Sequence, residues 1–593
     1  MARPGRCRIQ MDPRNLLINI PGVNIHRFGQ PNSVAPVFRD VNWTVGEGEN
    51  WAVVGSASGE KATLFQTILG HLRISPPPPT SLFPLLSLNG SDPYQKISMV
   101  SFGNRARGLG AFYDYSARYG AVREEDRITL RESVFPEMID EAVGELGYRQ
   151  REVQRVSEED MHYFEQLADR MGLTKLLDLP VVALSNGQTR RARVVKAILR
   201  KPELLLLDEP LTGLDVQTRP ALLSLLYELH SARRPRIILG LRTQDALPEW
   251  ITHVALVDSG RIHTGTKGDI ERLVRESSSL SEQSRVYSVP KIATDNGGEV
   301  LVDMNNVSVK YGDRTVLKAI NWKIKGGERW HLVGANGSGK TTLLSLITGD
   351  HPQSYTQSSP PLASSSEPAS HRHLRLFSQP RSRIPTPTLH SKIGVVSPEL
   401  FDAFPRRTGL TVWEAVVTGF EGVFSVPRNI STSSGKPQRS LGGRVGEELT
   451  DSEREWREKR IWDVIEHLGP AAWATPAGGP KDDRISPISE EFASRSFASL
   501  SVGEQRVVLL MRALVGQPPL VLLDEVWSGM DASMINAARS YLRGENGVAG
   551  DGRGMGKDQA VVVITHWENE VPWSAEDGVK KFVLESGVGK VVR

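Results

Sequence analysis

An apolar strand that runs into a glycine-rich, lysine-bearing loop occurs twice in this chain, as VGSASGEKAT from Val54 and as VGANGSGKTT from Val333. The flanks repeat as well. VFRDVNWTVGEGENWAVVG from Val37 and VLKAINWKIKGGERWHLVG from Val316 stay in register up to Gly55 and Gly334, and ITLRESV from Ile128 is matched by LTVWEAV from Leu410. Internal duplication is the simplest account. The length of 593 residues agrees, being too great for one hydrophobic core and sufficient for two large domains. In each copy the alternating apolar positions and the Gly-Glu turn predict a β-hairpin feeding a buried strand that enters the glycine loop. The paired Trp43 and Trp322 are expected in the core.

Between the copies, ESSSLSEQSRVYSVPKIATDNGGE has the serine, proline and glycine bias of a linker. The expected organisation is a basic tail over 1–13, a first domain over 14–275, a linker over 276–298 and a second domain over 299–593. SPPPPTSLFP interrupts the first copy, and HPQSYTQSSPPLASSSEPASHRH and NISTSSGKPQRSLGG interrupt the second. Their poverty in large apolar residues predicts mobile loops.

Composition narrows the function classes. Hydrophobic content of 39%, charged content of 24% and a formal charge of +3 give no ground for nucleic-acid binding, and no direct contact with DNA is expected. The one cysteine, Cys7, excludes a disulfide framework and a cysteine-rich zinc site, and fits a reducing compartment. No run reaches the roughly 18 apolar residues a spanning helix needs. The start, MARPGRCRIQMDPR, is arginine-rich without the apolar stretch of a secretory signal, so a cytoplasmic location is expected, with a mitochondrial one as the alternative.

The second loop is intact. Gly334, Gly337 and Gly339 let the backbone, with Asn336, Ser338 and Thr342, turn its N–H groups toward phosphate oxygens. Lys340 would reach the β and γ phosphates, and Thr341 would offer its hydroxyl to Mg²⁺. Further on, the apolar run Leu520 to Leu523 would be a buried strand carrying Asp524 and Glu525 at its C-terminal end, where α/β sheets bind ligands. Asp524 would hold Mg²⁺ and Glu525 would orient the attacking water. VVVITHW would be a third strand, with His566 at its end to meet the γ phosphate.

The order of phosphate loop, LSVGEQ from Leu500, LLDE, SGMD from Ser528 and ITH resembles the ATP-binding cassette (ABC) ATPases. The resemblance covers most of the chain and implies an α/β fold: two phosphate-loop NTPase domains of ABC type, each with a mixed core sheet, an antiparallel β subdomain and a helical subdomain. It implies ATP and Mg²⁺ as ligands and places Tyr311 where the family stacks an aromatic on adenine. In KIGVVSPEL, Pro398 and Glu399 stand where the family has a glutamine that couples the nucleotide to a partner.

The first half carries ALSNGQTRRARVVKAILRKPELLLLDEPLTGLD from Ala183, with the pair Asp208 and Glu209. Its loop keeps Gly55, Lys61 and Thr63, but Ser58, Glu60 and Ala62 replace Gly337, Gly339 and Thr341. A carboxylate beside phosphates repels them, and alanine cannot ligate a metal. Gln244 takes the histidine position, and His253 belongs to the next strand. Phe102 replaces the coupling glutamine, and Phe28 is the candidate base-stacking aromatic. Arg190, Arg191 and Arg193 are expected on a solvated helix face.

Cassettes of this family pair head to tail, which the resemblance extends to an intramolecular pairing here. Ser185, Gly187 and Gln188 of the first half would then complete the site of Lys340, and Ser501 and Gly503 the degenerate site of Lys61. DHPQSY, IGVVSPEL and AFYDYSARYG are similar to the molybdenum-transport-associated (ModF-like) ATP-binding family. The expected function is ATP hydrolysis driving a change in a protein partner, a membrane transporter or a ribosome. A ribosome-associated translation factor and a nucleotide-gated, non-hydrolysing adaptor are the alternatives; the short serine-rich linker weighs against the first, and Glu525 and His566 against the second.

Overall fold

The computed structural model describes residues 15–29, 35–55, 60–78, 81–87, 92–102, 128–135, 157–181, 184, 186–212, 218–243, 245–258, 260–273, 298–311, 314–335, 337–357, 373–407, 409–424, 441–442, 449–473, 485–544, 555–556, 558–565, 570–573 and 577–592. Those up to 273 belong to one compact unit and those from 298 onward to another. The expected basic tail and nearly all of the expected linker lie outside the described residues.

The first unit's strands are β1 (Leu16–His26), β2 (Phe38–Gly46), β3 (Trp51–Gly55), β4 (Arg73–Ser75), β5 (Ile97–Ser101), β6 (Leu204–Asp208), β7 (Arg236–Arg242), β8 (His253–Asp258) and β9 (Arg261–Thr266). They form an antiparallel sheet, β2-β1-β4, and a six-stranded sheet, β5-β6-β7-β3-β8-β9, parallel except for the β8/β9 pair.

The second unit repeats the plan with β10 (Val300–Tyr311), β11 (Arg314–Lys325), β12 (Arg329–Gly334), β13 (Leu374–Leu376), β14 (Gln379–Pro380), β15 (Ile393–Val396), β16 (Leu520–Asp524), β17 (Ala560–Ile564), β18 (Lys580–Glu585) and β19 (Val588–Val592). Its sheets are β11-β10-β13-β14 and β15-β16-β17-β12-β18-β19. The glycine-loop strand holds the same place in both core sheets, with parallel neighbours on either side.

The expected hairpin needs correction. The strands on either side of the Gly-Glu turn do not pair with each other; β2 pairs with β1, and β3 enters the core sheet. Burial explains the split. β2 alternates buried and exposed residues, as a strand with one wet face does, whereas β3 is buried throughout and must be covered on both faces. Trp43 and Trp322 are buried in the layer between the two sheets, edge-on to Trp51 and Trp330 at 5.9 and 5.6 Å.

The duplication extends to helix caps. Thr129 with Glu132 and Thr411 with Glu414 form reciprocal capping boxes at the helices Leu130–Val134 and Val412–Val417, worth about 1 kcal/mol each. In the second unit the helices Val412–Val417, Asp451–Leu468, Pro487–Ser494 and Val502–Val515 share an apolar core beside the sheet. The insertions are less loose than composition implies. Leu82 and Phe83 are buried at the end of the first, and His351 and Ser354 at the start of the second. Residues 358–372, 425–440 and 443–448 lie outside the described residues. Among those described, no helix is long and apolar enough to cross a membrane.

Candidate functional site

In the second unit β12 ends at Gly334, and the loop beyond it opens the helix Lys340–Thr348. Gly337 and Gly339 have φ of 81° and 105°, conformations that a side chain disfavours. A Cβ on Gly339 would also sit 2.7 Å from Leu317 Cδ2. No side chain caps this helix, so its first N–H groups keep the unsatisfied, partly positive character that favours an anion. Ser338 Oγ is buried in the loop without a hydrogen-bond partner. Lys340 is half-buried and donates to the carbonyls of Gly334 at 2.6 Å and Ala335 at 3.0 Å, folding back along its own loop. Thr341 is exposed and Thr342 half-buried in the same turn.

β16, fully buried, carries Asp524 at its end as expected. Burial, then the nearby charges of Glu399 and Glu525, push the Asp524 carboxyl well above the usual range against the pull of Lys340 and Arg506. A buried carboxylate among carboxylates calls for a cation, so the donor set fits Mg²⁺. Among the described residues no three metal-ligating side chains cluster, which suits an ion that takes most of its ligands from phosphate and water. Glu525 follows with φ of 46°, its N–H bonded to Ile564 O at 3.1 Å across the sheet. Asn336 and His566 lie outside the described residues, as does the side chain of Tyr311, whose backbone ends β10.

The first unit arranges the same parts differently. Lys61 lies in the helix Glu60–Ile68, is 3% exposed, and points at the strand-end carboxylates: 2.8 Å from Glu209 Oε1 and 3.6 Å from Asp208 Oδ1. Burial opposes the charge of Lys61, but Glu209 and Asp208 override it and hold its pKa above the ordinary value. Burial raises Asp208 to about 6 despite Lys61. For Glu209 burial acts upward, yet Lys61 prevails and lowers it. Glu209 repeats the backbone of Glu525, with φ of 56° and its N–H on Gly240 O at 2.8 Å.

Glu60 accepts from the Gly260 N–H at 3.1 Å and keeps Oε2 buried without a partner; burial, opposed by that bond, raises its pKa. Ala62 is half-buried beside Thr63 and offers no donor to a metal. These residues do not fit an Mg²⁺–phosphate group as the second unit's do. Gln244 lies outside the described residues. Phe28 is 64% exposed in the turn after β1, and His253 begins β8, apart from the strand end where a γ phosphate would lie.

The two signature segments also differ. In the second unit Ser501 caps the helix Val502–Val515 in a reciprocal box with Glu504, which also binds Arg495 at 3.0 Å. Glutamate in place of a signature glutamine is thereby engaged in its own helix cap. A Cβ on Gly503 would collide with the Gly529 carbonyl, so the signature and the SGMD segment demand glycine where they cross. In the first unit Gly187 is buried and Gln188 half-buried in the helix Asn186–Leu199, and Ser185 lies outside the described residues.

The expected solvated arginine face is a second correction. Arg190, Arg191 and Arg193 are half-buried and donate to the carbonyls of Thr212, Met171 and Ser101 respectively. Arg190 and Arg193 also stack on Phe102, 5.8 and 5.4 Å from its centroid. Sequence reasoning missed these contacts, and with them the influence of Glu399 on Asp524. The only local hint was that Arg190 and Arg506 each follow a signature serine by five residues.

Comparison with known proteins agrees with this geometry. The family model described as ABC transporter matches residues 38–212 and 317–528. An uncharacterised ABC transporter ATP-binding protein of Schizosaccharomyces pombe is 30% identical, covering 91% of this chain and 93% of that protein. The ABC transporter ATP-binding protein ModF of Escherichia coli is 28% identical, over 82% of this chain and 84% of its own. A solved structure titled as a model of ribosome-bound archaeal Pelota and ABCE1 aligns with a TM-score of 0.54 at 16% identity, covering 98% of this chain and 78% of that one, a likeness of fold.

Proposed function

The chain belongs to the ABC transporter family, and on that premise we propose that it hydrolyses ATP at one site, built on the second unit's phosphate loop, and keeps a degenerate site on the first. The observation that carries this reading is the contrast between the lysines: Lys340 rests on loop carbonyls that a phosphate can replace, whereas Lys61 is held by Glu209 and Asp208.

On binding, Lys340 exchanges Gly334 and Ala335 for β and γ phosphate oxygens, and the N–H groups from Asn336 to Thr342 complete the cradle. Thr341 and Asp524 would hold Mg²⁺, which would supply neutralising charge to the phosphates. Glu525, its backbone fixed on Ile564, orients the water; His566 meets the γ phosphate; Tyr311 stacks on adenine. By resemblance the cassettes, residues 14–275 and 299–593 joined by 276–298, pair head to tail. Ser185, Gly187 and Gln188 then close over the nucleotide on Lys340, and Ser501 and Gly503 over Lys61.

Hydrolysis drives a conformational change in a protein partner. The similarity to the ABC transporter ATP-binding protein ModF of Escherichia coli favours a transport-related one. The test is to purify an ATP-trapped Glu525→Gln chain and identify what accompanies it. Membrane-transport components support the reading, and ribosomes in their place overturn the choice of partner.

A further inference from the structure

Each unit carries an arginine five residues after its signature serine and turns it onto an aromatic ring from the segment following the outermost parallel strand. In the first unit Arg190 lies over Phe102, the residue directly after β5. In the second, Arg506 lies 4.5 Å from the centroid of Phe401, in the short helix Pro398–Ala403 that follows β15. Both rings are buried. Phe102 and Phe401 stand at different distances from their strands, so one arginine reaches a ring by two local routes. A packing detail simply inherited through duplication would have kept the register.

The second unit extends the link. Arg406 lies 4.7 Å from the Phe401 centroid, donates to Phe401 O at 2.9 Å and reaches Gln505 Oε1 at 3.3 Å. Gln505 donates to the carbonyls of Phe497 and Leu500, both at 3.2 Å, in the turn that leads into Ser501. At the other end, β15 pairs with β16 so that Val396 faces Leu523, which brings Ser397, the cap of the Pro398–Ala403 helix, level with Asp524. Ser397 caps that helix through Leu400 N, so an ordered helix stands where the family has a coupling glutamine. A flat guanidinium stacked on a ring in a desolvated place resists separation, and its planar face is what lysine lacks.

We propose that Phe401 and Arg506 are positioning residues that weld the Pro398–Ala403 helix to the signature helix Val502–Val515, so that nucleotide-driven movement at the end of β16 reaches the helical layer through this stack. The proposal rests on the second unit being the ATP site. Arg190 and Phe102 keep the stack in the first unit, where Lys61 fills the strand-end carboxylates.

The test is hydrogen–deuterium exchange of residues 502–515 in the full chain, with and without Mg²⁺–ATP, alongside equilibrium binding of ATP and steady-state turnover. Wild type and Phe401→Tyr, which keeps the ring, should show nucleotide slowing exchange there at least fivefold. Phe401→Leu and Arg506→Lys should bind ATP within about threefold of wild type yet lose the slowing, with kcat falling at least fivefold and KM little changed. Retained slowing in Phe401→Leu, equal loss in Phe401→Tyr, or no slowing in wild type overturns the proposal. If Phe401→Leu fails to fold, Arg506→Lys decides. Slowing without any turnover in wild type would instead refute hydrolysis and leave the coupling route standing.

Discussion

The two phosphate-loop regions share a strand order, a strand-end Asp-Glu pair with the glutamate at positive φ, and a lysine at the first or second position of the helix. They differ in what the lysine has to bind. In the second unit the Asp524 carboxyl lies near Glu399 and Glu525, against the pull of Lys340 and Arg506, and Lys340 donates to the loop carbonyls of Gly334 and Ala335. In the first, Lys61 lies buried between Glu209 and Asp208, and Arg242 and Arg190 add their charge beside Glu209. On the proposed reading, what sets the first region apart is more than its missing glycines. The residues left behind have closed on one another, and a ligand would have to open a buried ion pair to enter.

The largest effect expected from this contrast is on turnover. Lys340→Ala should lower steady-state ATPase at least a thousandfold, about 4 kcal/mol of transition-state stabilisation, while Lys61→Ala stays within about threefold. Equal losses would break the comparison. Stability should respond the other way round. Lys61→Met leaves two carboxylates buried without their cation and should cost roughly 3–5 kcal/mol in chemical denaturation of the first unit. Lys340→Met, which removes hydrogen bonds from a half-buried loop, should cost about 1 kcal/mol.

The signatures give a smaller and more specific effect. If the cassettes pair head to tail, Ser185→Arg should slow hydrolysis at least tenfold, about 1.4 kcal/mol, and Ser501→Arg should leave much of it, measured at saturating ATP with thermal melts as the folding control. The reverse order would refute the pairing.

Legibility followed chemistry. The second loop and the end of β16 could be read directly, because phosphate binding and strand burial each fix residue types at short spacings, whereas the capping boxes at Thr129 and Thr411 showed only as a repeated segment. The destination of Lys61 could not, since the Glu209 that holds it stands far along the sequence and only the folded sheet brings the two together. Arg190, Arg191 and Arg193 looked like a wet helix face because a guanidinium reads as exposed unless its carbonyl acceptors are known. The Gly-Glu turn looked like a hairpin because alternation near a turn does not say which sheet each strand joins. Leu82 and Phe83 packed despite their proline-rich surroundings because two large apolar side chains suffice to anchor a loop end.

The smallest effect concerns pH. Burial, then Arg233, holds His230 down to about 4, with its ring on Asn50 and the Ile237 N–H. The unfolded chain takes up the proton first, so this histidine's contribution is complete above about pH 6.5 and is lost as pH falls toward 4. Asp208, raised to about 6, acts in the opposite sense over much of that window, so the readout is the difference between wild type and His230→Gln in melts from pH 7 to 4. In the second unit burial lowers His467, but Asp463, 3.2 Å away, prevails and raises it. Its contribution is present below about pH 6.5 and is lost as pH rises through the raised pKa. His467→Gln should therefore remove stability at acidic pH, where His230→Gln should narrow the loss.

The central claim, one hydrolytic site served by the second unit, is tested most directly by the turnover of Glu525→Gln and Glu209→Gln measured side by side at saturating Mg²⁺–ATP. The account predicts that Glu525→Gln loses at least a hundredfold, about 2.7 kcal/mol, and that Glu209→Gln retains at least a third of wild-type activity. Loss in Glu209→Gln with survival in Glu525→Gln, or comparable loss in both, would contradict it.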